Sequence, residues 1–81
     1  MENNCFKIKL RRDCIHDVCK KLQQFESEFD VGTHRTMIDG KDIRGFYALD
    51  TSKTLNVECL LRKNETMKQV MDSLKDYVVN D

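Results

Sequence analysis

The chain has 81 residues, enough for one domain burying about 60% of its unfolded surface around a thin core, with no room for a deep cavity. Charged residues make up 35% of it, and 14 basic side chains balance 14 acidic ones, which speaks against a general nucleic-acid binder. No apolar run approaches the roughly 20 residues that cross a bilayer, and the polar start "MENN" is no secretory leader, so a cytoplasmic protein that avoids the membrane is expected.

"CFKIKL" alternates, with Phe6, Ile8 and Leu10 on one side and Cys5, Lys7 and Lys9 on the other. That period predicts a strand with one buried face. Asp13 is a candidate N-cap for an amphipathic helix over residues 14–24, whose stripe is Ile15, Val18, Cys19, Leu22 and Phe25. A hairpin follows: Phe29 and Val31 share one face, Glu28 and Asp30 the other, and Gly32 opens a turn before a return strand near 35–39. Either Met37 or Ile38 could be the inward residue of that return strand. A short helix is expected to end near Leu49, and "DTSK" is a polar connection. "LNVECLL" alternates again, with Leu55, Val57, Cys59 and Leu61 inward. Asn64 is a candidate cap for a last helix with the stripe Met67, Val70, Met71, Leu74 and Val78.

The order β-α-β-β-α-β-α, with one apolar and one charged face on most strands, implies a single domain over residues 1–81. Its fold class is α+β, an open-faced β-sandwich whose four-stranded, mostly antiparallel sheet is covered by three helices on one face. The bare face would show Lys7, Lys9, Glu28, Asp30, Asn56, Glu58 and Leu60, mixed in sign and without an aromatic. RNA-binding α+β domains stack bases on aromatics over such a face, so that class ranks last.

Cys5, Cys14, Cys19 and Cys59 form no C-x-x-C pair, and no histidine sits at ligand spacing beside two of them. Reduced packing thiols are expected, with no metal and no cofactor.

The segment "DGKDIRGFYALD", residues 39–50, brings a family into view. With the order and lengths of the elements, the chain from Phe6 to Val78 resembles HPr, the histidine-containing phosphocarrier protein of the bacterial phosphotransferase sugar-uptake system. Lys41, Ile43, Gly45 and Leu49 match the family's segment at the start of its short second helix. Two departures change what the resemblance implies. The family's phosphoryl-acceptor histidine lies in a loop between the first strand and first helix, with an arginine and a proline. Here "RRDC" alone joins Leu10 to the helix, and that loop is missing. The family's regulatory serine is matched by Asp42, whose carboxylate would lie where a phosphoserine meets the helix N-terminus, with one charge against about −1.5 to −2.

Asp42 has a plainer explanation as a helix cap. His16 sits inside the first helix's stripe region, about a turn past the cap, where its imidazole could not collect free N-terminal amides. His34 falls in the hairpin turn. Arg11 and Arg12 beside the first helix's amides could hold an anion, although solvated arginines beside Asp13 need no such role. In the second helix, Phe46 and Leu49 are expected inward, leaving Ile43, Arg44 and Tyr47 at the surface beside Lys41 and Asp42 as a partner-docking patch. The expectation is a monomeric, non-catalytic regulatory or interaction module related to the phosphotransferase system. Its partners would be proteins of that system or transcription regulators. The alternative is a working phosphocarrier with His16 as a non-standard acceptor.

Overall fold

A computed structural model describes residues 4–79. Its elements run β1 (Cys5–Ile8), a 3₁₀ turn (Arg12–Cys14), α1 (Ile15–Gln23), β2 (Glu28–Gly32), β3 (Met37–Asp39), α2 (Ile43–Phe46), β4 (Leu55–Leu60) and α3 (Met67–Ser73). The fold is α+β, with one four-stranded sheet in the order β1-β4-β2-β3 and every pairing antiparallel.

Period-two alternation carries the sheet's side of the core. Phe6 pairs with Val57, Val57 with Val31 and Val31 with Ile38, so one lateral row of apolar side chains crosses all the strands. Ile8, Val31, Leu55 and Val57 have no exposure, and Phe29 almost none. Ile15, Val18 and Leu22 from α1, Phe46 from α2 and Val70 from α3 meet that row and are equally buried. The register also settles β3: Ile38 faces inward opposite Val31 and is half-buried, while Met37 stands exposed opposite Gly32. Side chains of opposite parity face solvent, namely Lys7, Lys9, Glu28, Asp30, Glu58 and Leu60, with Asn56 half-buried.

Gly32 is fixed by the hairpin. Its φ is +156°, and a Cβ there would collide with the Thr36 carbonyl, which accepts the Thr33 N–H at 3.0 Å across the turn. Any other residue would push the strands apart.

Several boundaries differ from expectation. Asp13 does not cap α1. It lies within the 3₁₀ turn, the N-cap position falls to Cys14, and no side chain bonds the first amides. The turn satisfies the first of those amides with a backbone carbonyl instead, the Ile15 N–H donating to Arg12. Asn64 does not cap α3 either. Thr66 does, in a reciprocal capping box with Gln69. Phe25 falls beyond α1, half-buried, its ring edge-on to Phe29. α2 is a single turn ending at Phe46, and Leu49 is carried inward by a turn. α3 ends at Ser73, so Val78 is not on its stripe but pairs with Ile8 in an isolated antiparallel bridge.

A polar network that periodicity does not reveal closes the other end. Ser27 is fully buried, its hydroxyl donating to Glu65 and accepting the Arg62 N–H at 2.9 Å. The same carboxylate accepts the N–H groups of Ser27 at 2.8 Å and Glu26 at 2.9 Å, joining the loop after α1 to the loop before α3. With a partner for both its proton and its oxygen, the buried hydroxyl has the cost of leaving water offset by hydrogen bonds.

Candidate functional site

The candidate site is built around α2, and its sequence dictates its shape. Asp39 Oδ1 accepts the Lys41 N–H at 2.9 Å, tightening the exit from β3. Gly40 then passes so close to the core that a Cβ would lie 2.9 Å from Leu22 Cδ1 and 3.0 Å from Val31 Cγ2. Gly45 lets α2 rest on β3, where a Cβ would approach that of Ile38 to 2.9 Å. Both glycines of the motif are therefore packing residues.

Asp42 is the N-cap of α2, its Oδ1 accepting the Arg44 N–H at 3.0 Å. The Arg44 side chain, 3.4 Å away, and that backbone bond hold the carboxyl below its ordinary pKa. Arg44 is otherwise almost fully exposed, and Ile43 is half-buried. Phe46 and Leu49 point inward as the pattern predicts, and Tyr47 projects outward with 47% exposure.

Lys41 is turned away from this patch. Its ammonium donates to the Phe25 carbonyl at 2.5 Å and lies 5.9 Å from the Phe29 ring centroid. Its own carbonyl accepts from Gln23 Nε2 at 2.9 Å. The residue fastens the mouth of α2 to the end of α1, and its charge is directed at the fold rather than at solvent.

His16 is the second residue of α1, inside the first turn rather than a turn past its start. It is exposed, and its Nε2 lies 2.6 Å from the Tyr47 hydroxyl, with the rings edge-to-face. The two residues are 31 apart, and no local pattern announces the pair. Arg11 and Arg12 are exposed, and neither is ion-paired among the described residues. His34 stands exposed in the hairpin turn.

All the cysteines are free. Burial raises the Cys19 thiol's pKa, with Asp42 adding to the effect. Burial also pushes Cys59 up to about 12, leaving it a poor nucleophile. Among the described residues, no three of His, Cys, Asp and Glu gather closely enough to hold a metal ion.

Chemically, the α2 surface offers an exposed aromatic, a guanidinium and an engaged carboxylate around a half-buried isoleucine. Such a mixture suits recognition of another surface. No known family model matches the chain. A search of curated proteins finds no match either.

Proposed function

We propose that this chain is a non-catalytic relative of the HPr phosphocarrier, a cytoplasmic open-faced sandwich that docks a partner protein through α2. The link from β1 to α1 carries this proposal. Arg11 is extended, and Arg12–Cys14 wind directly into the helix. No segment between Ile8 and Ile15 bears an imidazole that could swing above the helix amides to meet a phosphoryl donor. The order β-α-β-β-α-β-α and the place of "GKDIRG" at the mouth of α2 support the kinship. Tyr47, Ile43 and Arg44 form the docking patch, and Asp42 sets its charge where the family carries a regulatory serine. Lys41 contributes by fixing the patch to α1.

One observation favours the alternative, a carrier that uses His16: the ring lies in the first turn of α1, nearer its amides than the sequence suggested. Incubation with phosphoenolpyruvate and the upstream phosphotransferase enzyme separates the two. We expect no acid-labile phosphate on the chain, and a label on His16 would replace the silent module with a carrier. The docking patch is tested separately by pull-down from bacterial cytosol. Tyr47→Ala and Asp42→Lys should each lose partners that wild type retains, and unchanged recovery by both would move the docking face elsewhere.

A further inference from the structure

In the sheet order, β1 is an edge strand, and an open edge presents unpaired N–H and C=O groups to any extended chain. This edge is occupied by the chain's own end. The Lys9 N–H donates to the Tyr77 carbonyl at 2.9 Å, the Val79 N–H to the Lys7 carbonyl at 3.0 Å, and Val78 bridges Ile8 between them. The Tyr77 hydroxyl donates to Asp17 at 2.5 Å, and the Lys21 ammonium lies 5.8 Å from its ring centroid. All three strap residues are half-buried, so they are seated on the fold without being locked into its core.

We propose that the outer edge of β1 is a strand-addition site for an extended segment of a partner protein, and that Tyr77–Val79 occupies it in cis as a competing strap. The chemistry of the partner follows from what sits there now. An aromatic residue places a hydroxyl on Asp17, and a β-branched residue one position on lies against Ile8. Acidic flanks suit the site, because Lys7, Lys9 and Arg11 are all exposed along this side. An open hollow of about 430 Å³ beside the strap is walled by Lys9, Arg11 and Asp13 together with the strap's own Asp76 and Tyr77, so a flanking acid of the partner would take the place that Asp76 holds now. Backbone pairing supplies affinity in this mode of binding, and alternate side chains supply selectivity.

The test uses the full chain and a synthetic peptide of residues 75–81, KDYVVND, followed by amide exchange at Lys9. The double variant Val79→Pro with Tyr77→Phe removes one strap N–H and the tie to Asp17. It should speed Lys9 exchange about tenfold or more, the loss expected for a weakened local hydrogen bond. Added peptide should then restore the protection, and wild type should bind the peptide at least about tenfold more weakly than the variant. A second variant, Val78→Ser, loosens the strap by another route. If neither variant frees the Lys9 amide, the strap is not displaceable and the proposal falls. It also falls if the freed edge ignores the peptide or if wild type and variant bind it equally. Concentration-dependent dimers of the variants in place of peptide binding would assign the edge to a second copy of the chain and overturn the partner proposed here.

Discussion

α1 and α3 begin in opposite ways. α1 has no side-chain cap and enters through a 3₁₀ turn, yet it buries Ile15, Val18, Cys19 and Leu22. α3 has a complete capping box, and Val70 alone is buried within its span. The first helix is held by its apolar stripe; the last depends on satisfied ends. Most helical stability in proteins comes from packing, and caps matter most where packing is thin.

Substitutions on the two helices sharpen this contrast. Leu22→Ala in α1 should cost about 2–5 kcal/mol, measured by urea unfolding, because the void lies where helix, sheet and Gly40 converge. Between the helices, Ser27→Ala should cost about 1–3 kcal/mol in the same assay, since it strips the Arg62 N–H and Glu65 of a buried partner. Thr66→Ala should cost about 1 kcal/mol, and a capped but thinly packed α3 should show it as faster amide exchange in its first turn.

Acid should act on the tethered ends before the packed stripe. Asp17, Asp42, Asp50 and Glu65 are held below their ordinary values by hydrogen bonds to Tyr77, Arg44, Ser52 and Ser27 respectively. Unfolded, these groups return to about 4, so the stability they confer is complete at neutral pH. It is lost as pH falls through the lowered folded values. Tm should hold between pH 7 and 5 and decline below about 4; a Tm unchanged down to pH 3 would remove these bonds from the account. The smallest effect belongs to Asp13→Ala, expected within about 0.5 kcal/mol of wild type because Asp13 caps nothing. A loss matching that of Thr66→Ala would erase the contrast between the two helices.

The parts legible in the sequence were those governed by period. Phe6, Ile8, Phe29, Val31, Leu55 and Val57 announce their faces because alternation and burial are one constraint in a strand. Phe46 and Leu49 follow from helical spacing, an i, i+3 row that stays buried although α2 ends at Phe46. Asp42 caps α2 as its sequence position suggests, but the starts of α1 and α3 were not legible, because Asp13, Asn64 and Thr66 are all competent caps and backbone geometry chooses among them. Contacts between distant residues carry no local signature, and so the Ser27–Glu65 network, the Val78–Ile8 bridge and the His16–Tyr47 pair were missed. Within the candidate site, the outward set of Ile43, Arg44 and Tyr47 was visible. The inward turn of Lys41 was not, because it depends on where the Phe25 carbonyl falls after α1 ends.

The position of β4 bears on how the chain acquires its shape. Leu55–Leu60 lie between β1 and β2, so neither of those strands has its main neighbour until the last third of the polypeptide is available. During synthesis the β2–β3 hairpin and α1 can form early, while β1 must wait through some fifty intervening residues for Val57 to reach Phe6. Closure of that distant pairing is therefore expected to limit the folding rate, and β1 is exposed to mispairing for as long as it waits.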